Sequence, residues 1–194
     1  LLTIVNSITT FFEKISKFHN FLLKNYVLHI ILLVIYLNKD NYIKFNRLFY
    51  EPEIINYDLG KYLLEKYIDI PQEKILSHNN IEKLRKYENK DFPKLKKYLV
   101  IGIRKTHKYT PNHKISDYLV PFTSSGCYAM CMYCYLVCNY NKCSYLRVFV
   151  NTEEILNKLI KTSNESLREL TFEIGSNSDL LLENLVTNTL NFHL

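Results

Sequence analysis

Three cysteines within eight residues, Cys127, Cys131 and Cys134, constrain this chain more than any other feature of it. They sit in Gly126-Cys127-Tyr128-Ala129-Met130-Cys131-Met132-Tyr133-Cys134-Tyr135, a C-x3-C-x2-C spacing. Three thiolates at this spacing on one tight loop can reach a common inorganic centre. All five cysteines of the chain lie between Cys127 and Cys143. An odd number of crowded cysteines fits a disulfide framework poorly. Without a convincing signal peptide it reads as a ligand set in the reducing cytosol.

Three thiolates hold three irons of a [4Fe–4S] cubane and leave the fourth iron without a protein ligand. The amino and carboxylate groups of S-adenosylmethionine can chelate an open iron. An electron from the reduced cluster then breaks the sulfonium C–S bond and yields a 5′-deoxyadenosyl radical. The rival reading is zinc. Cys138 extends the series to C-x3-C-x2-C-x3-C, and four thiolates would close a tetrahedral site in a zinc-stabilised nucleic-acid-binding module. That spacing differs from the usual paired C-x2-C knuckles. The six histidines show no ligand spacing, and no glycine-rich phosphate loop is present.

With 194 residues, 47% hydrophobic and 23% charged, the chain can bury a real core. Four glycines and five prolines argue against long disordered linkers. The net charge of +6 favours anionic partners without demanding them. The basic run Arg104-Lys105-Thr106-His107-Lys108, with Lys114, suits phosphate contacts or a solvated turn equally well. Tyr26 to Leu37 is strongly apolar but only 12 residues long, short of the roughly 20 needed to span a membrane. No small-residue cleavage site follows it. It reads as a buried helix, or as translation from upstream of the true start, and no stable membrane association is expected.

The pattern divides the chain into an apolar helical leader (1–44), an N-terminal α/β region (45–117) and a β/α region (118–194). Helices are expected over 60–68, with Leu63, Leu64 and Tyr67 on one face, and over 80–86 after a Ser77–Asn79 cap. A third covers 153–161, capped by Asn151 or Thr152, with Ile155, Leu156, Leu159 and Ile160 as its core stripe. A fourth covers 179–190. Strands are expected over 98–103, 118–122, 146–150 and 169–174, the last with Leu170, Phe172 and Ile174 on one face. Alternating strands and helices imply parallel βαβ architecture. Ligands then sit at the carboxyl ends of strands, and the cysteine and Gly175–Asp179 loops share one rim.

At residues 45–187 the chain resembles the spore photoproduct lyase family of the radical S-adenosylmethionine superfamily. FNRLFYEPEIINYDLGKYLLEKY, DYLVPFTSSGCYAMCMYCYLVCNYNKCSYLRVFVN and TFEIGSNSDLLLEN carry the resemblance. It implies an α/β fold: a partial (β/α) barrel of radical S-adenosylmethionine type, truncated here, with an N-terminal α/β extension. It implies a cytoplasmic, spore-core DNA-repair lyase that reverses spore photoproduct to two thymines, with the dimer turned out of the helix. DNA carrying that lesion and an electron donor such as flavodoxin or ferredoxin would be its partners. Cys127, Cys131 and Cys134 match the cluster ligands. Tyr133 matches the residue that cradles adenine, and Tyr135 a tyrosine that relays hydrogen. Ser178 and Asp179 match the loop that holds the methionine end of the cofactor; a helix N-cap is their plainer reading. The chain departs from the family in two respects. Ser176 stands where many members carry a hydrogen-donating cysteine, and an alcohol is a far poorer hydrogen-atom donor than a thiol; Cys138 or Cys143 are candidate replacements. The sequence also stops at Leu194, before most of a family-length barrel, so a truncated relative without activity is a further alternative.

Overall fold

Tyr98–Gly102 is a five-residue strand with four buried positions, because both faces of its sheet are covered. Leu99 and Ile101 join one apolar cluster with Leu48, Leu63, Leu146 and Val148. Val100 joins a second, with Phe49, Ile81, Leu84, Leu95 and Tyr145. A continuous apolar run is the mark of a parallel strand sandwiched between helical layers. In the computed structural model the described residues are 43–112, 116–119, 123–134, 136–137, 144–173, 175 and 177–188. The apolar leader up to residue 42 lies outside them.

In chain order the strands are β1 (Arg47–Tyr50), β2 (Gln72–Lys74), β3 (Tyr98–Gly102), β4 (Thr110–Pro111), β5 (Tyr118–Leu119), β6 (Ser124–Ser125), β7 (Leu146–Phe149) and β8 (Phe172–Glu173). The helices are α1 (Asp58–Lys66), α2 (Glu82–Arg85), α3 (Phe92–Leu95), α4 (Thr152–Asn164) and α5 (Leu180–Thr187), with 3-10 turns at Pro52–Asn56 and Asn89–Asp91. A five-stranded sheet has the order β2-β1-β3-β7-β6 and a three-stranded sheet the order β4-β5-β8. β1, β2, β3 and β7 pair in parallel, and β6 closes one edge antiparallel to β7. The larger sheet therefore draws strands from both sides of residue 117. The architecture is α/β, as the pattern implied.

Several boundaries differ from expectation for local reasons. β3 stops at Gly102 because the Ile103 N–H is taken by Glu51 Oε2 at 2.8 Å. The helix expected over 80–86 shrinks to one turn, since Ser77 Oγ accepts the Asn79 N–H at 3.2 Å and keeps that stretch a turn. α4 outruns its expected end, yet Ile160 is 55% exposed. It lies roughly 140° around the helix from buried Ile155 and so leaves the apolar face. The strand expected over 169–174 reduces to β8, because Asp117 Oδ2 captures the Thr171 N–H at 2.8 Å. α5 ends at Asn188, which adopts the left-handed conformation at φ 56°. β1 and β2 were not foreseen; each is too short to show a period. Among the described residues no helix is long and apolar enough to cross a membrane.

Candidate cofactor site at the cysteine loop

β6 delivers the chain to Gly126, whose φ of +80° turns the backbone into the cysteine loop. Gly126 also forms a parallel bridge with Ser178, and its N–H donates to the Asn177 carbonyl at 2.8 Å. The cysteine loop and the Asn177–Asp179 segment thus lie side by side, as two loops on one rim should. Glu183 of α5 reaches under this junction. Buried, it accepts the Ser124 hydroxyl, and the Thr123 hydroxyl at 3.3 Å. Burial raises the Glu183 pKa above the ordinary carboxylate value, against the lowering effect of the two hydroxyls.

Cys127 is buried, Cys134 half-buried and Cys131 exposed. The Ala129 N–H donates to Cys127 Sγ at 3.3 Å. The Cys134 N–H closes a turn on the Cys131 carbonyl at 3.2 Å. Burial pushes the Cys127 thiol up. Asp179 and Cys134 add to the rise, while the Ala129 N–H and the Lys96 charge oppose it. Beneath the loop stands Lys96, with 0% exposure. Its Nζ donates to the Cys127 carbonyl at 2.7 Å and lies 3.8 Å from Cys134 Sγ. Nothing in the sequence singles out this lysine, which follows α3 in a run of lysines and leucines.

Asp179 is the N-cap of α5, its Oδ1 accepting the Leu181 and Leu182 N–H groups at 3.1 Å each. Both bonds fall on one oxygen, so Oδ2 remains for another donor. Among the described residues Ser178 Oγ is buried without a hydrogen-bond partner, which is costly unless a ligand supplies one. Tyr133 is 89% exposed. Tyr135, Ser176, Cys138 and Cys143 lie outside the described residues.

Among the described residues no three His, Cys, Asp or Glu side chains converge closely enough to hold a metal ion. The donor set nevertheless fits an iron–sulfur cluster in kind. It offers soft thiolates, an N–H aimed at sulfur and a buried ammonium to offset their negative charge.

A family model for spore photoproduct lyase matches residues 43–193. The chain is 35% identical over 144 residues to spore photoproduct lyase of Bacillus subtilis (strain 168), covering 72% of this chain and 42% of that protein. It is 32% identical over 151 residues to the lyase of Geobacillus sp. (strain Y412MC61), covering 73% and 42%. Its fold is similar to that of a spore photoproduct lyase complexed with dinucleoside spore photoproduct, with a TM-score of 0.70 and 31% identity over 78% of this chain and 46% of that one. It is also similar to a doubly substituted lyase with bound AdoMet and dinucleoside spore photoproduct, at a TM-score of 0.69, 31% identity and coverage of 77% and 45%. The chain spans 42% of the length of both of these curated relatives.

Proposed function

This chain belongs to the spore photoproduct lyase family, and on that premise we propose that it is the cofactor-binding part of a radical S-adenosylmethionine lyase that returns spore photoproduct in DNA to two thymines. The observation that carries the reading is the pairing of the cysteine loop with the Ser178–Asp179 segment over buried Lys96. Cys127, Cys131 and Cys134 would hold a [4Fe–4S] cluster. When bound, the cluster supplies the electron that cleaves S-adenosylmethionine to methionine and a 5′-deoxyadenosyl radical.

The chain's own groups then have defined tasks. Asp179 Oδ2 accepts from the cofactor ammonium while Oδ1 keeps capping α5. Ser178 Oγ gains the partner it lacks, from the same end of the cofactor. Tyr133, exposed on the loop, lays its ring against adenine. Lys96 holds the loop by the Cys127 carbonyl and balances thiolate charge. Tyr135 relays hydrogen through its phenol, and Ser176 occupies the position of the family's thiol donor. The partners are lesion-bearing DNA and a small electron carrier such as flavodoxin or ferredoxin, in the cytoplasm of the spore core. The AdoMet and dinucleoside spore photoproduct named for the solved relatives support the substrate class.

Anaerobic reconstitution with iron and sulfide tests this directly. The expected product is a brown protein with about four irons per chain, releasing 5′-deoxyadenosine on reduction and repairing a dinucleotide spore photoproduct. A colourless protein with one bound zinc overturns it. Cys138→Ala separates the readings further: iron content survives if three cysteines suffice and collapses if four are needed.

A further inference from the structure

A second concave site, whose wall none of the three cysteines joins, lies at the carboxyl ends of the larger sheet. From β1 the chain passes to β2 on one side and then returns to β3 on the other. The point between β1 and β3 is thus a topological switch point, where open α/β sheets form ligand crevices. A cavity of about 310 Å³ opens there. Glu51, just after β1, His78, after β2, and Arg104 and Lys105, just after β3, line it together with Arg147 of β7.

The lining is cationic. Arg147 stands on the sheet face opposite Leu146 and Val148, which point into the core. Its Nε donates to Ser125 Oγ at 2.9 Å and one Nη to Asn79 Oδ1 at 3.3 Å. Neither partner is a carboxylate, and the rest of its fork stays available. Arg104 stacks its guanidinium 5.2 Å from the centre of the Phe149 ring. Glu51, the carboxylate in the wall, spends both oxygens on donors. Oε1 takes the His78 N–H and Nδ1 at 2.9 Å each, and Oε2 takes the Ile103 N–H. That leaves the rest of the Arg147 fork and Lys105 to meet a ligand, with the buried His78 ring, packed on Phe149, as part of the wall. The arrangement is built tightly: a Cβ on Gly102 would come 2.6 Å from His78 Nδ1.

We propose that this crevice binds a phosphate group, the chemistry shared by a nucleic-acid backbone and a free nucleotide. The planar fork of Arg147 and the point charge of Lys105 suit tetrahedral oxyanions. S-Adenosylmethionine carries no phosphate, so the site is not that of the proposed cofactor. The inference does not rest on the lyase reading. Ser125 lines the crevice two residues before Cys127, so a phosphate held here lies beside the path into the cysteine loop.

The test uses the full chain, with inorganic phosphate and thymidine monophosphate followed by 31P NMR and a fluorescein-labelled thymidine 12-mer followed by anisotropy. Wild type is expected to bind, with Arg147→Met weakening binding by about tenfold, the value of one lost charge-assisted contact. Arg147→Lys should recover part of it. For the 12-mer, Arg147→Met should also flatten the salt dependence by about one phosphate contact. Lys105→Ala, on an exposed loop, should weaken binding several-fold without touching the sheet, and so covers the case in which Arg147→Met misfolds. A 12-mer at least tenfold tighter than both small probes identifies backbone phosphate; a tighter mononucleotide identifies a free nucleotide. No binding of any probe, or equal binding by wild type and both neutral variants, overturns the proposal.

Discussion

Lys96 and Glu183 are two buried ionisable side chains, one against the cysteine loop and one against the strand that leads into it, and they carry opposite charges when ionised. Lys96 places a cation against Cys127 and Cys134. In the metal-free protein Lys96→Met strips the buried Cys127 carbonyl of its donor, so it should melt below wild type, by about 1 kcal/mol or more of stability. In the iron-loaded protein the same change should lower the cluster's reduction potential by on the order of tens of millivolts, because positive charge beside sulfur favours the reduced state. Spectroelectrochemistry of the two proteins checks this, and Lys96→Arg should stay near wild type. Glu183 is buried with a raised pKa, so the folded state binds its proton more tightly than the unfolded chain does. Its contribution to stability is complete below the ordinary value of 4.5 and is lost as pH rises through the folded value. Glu183→Gln stays neutral throughout. It should be more stable than wild type at pH 7, with a higher Tm. The gain should vanish near pH 4, as thermal melts across pH would read.

At the scale of the element, α5 joins a structural task to a proposed binding task. Its N-cap carboxylate satisfies two backbone donors, and its C-terminal carbonyls of Leu185 and Val186 receive Lys66 Nζ of α1 at 2.9 and 2.8 Å. Asp179→Ala should cost about 1 kcal/mol of stability through the lost cap. Asp179→Asn caps as well as aspartate but carries no charge, so it should keep wild-type melting while weakening S-adenosylmethionine binding about tenfold. Calorimetry on both variants separates capping from cofactor binding. The capping role of Asp179 and its proposed cofactor role thus fall on different oxygens of one carboxylate. The same element shows where periodicity succeeds and fails. Asp179 and the apolar run after it marked a helix start correctly, while the end came early at Asn188, whose left-handed turn leaves no repeating pattern in sequence.

For the whole molecule, the larger sheet depends on residues far apart in the chain. β3 is held between β1 and β7, Leu99 pairing with Leu48 on one side and Leu146 on the other. A fragment of residues 43–117 loses β7 and should leave Leu99 and Ile101 on an open edge; far-UV circular dichroism and amide dispersion should report it unfolded, where residues 43–188 fold. The sequence alone determined what depends on neighbours in the chain: the cysteine spacing, the continuous apolar strand β3, the helix expected over 153–161, and the family resemblance of residues 45–187. These are legible because loop closure and periodic burial are local. Only the tertiary structure decided that Lys96 lies under Cys127, that Glu183 supports Ser124, and that Arg104 and Arg147 share a crevice with Glu51 and His78. Those contacts join residues separated by up to about a hundred positions, and a charge's worth depends on burial and on partners that no linear pattern encodes.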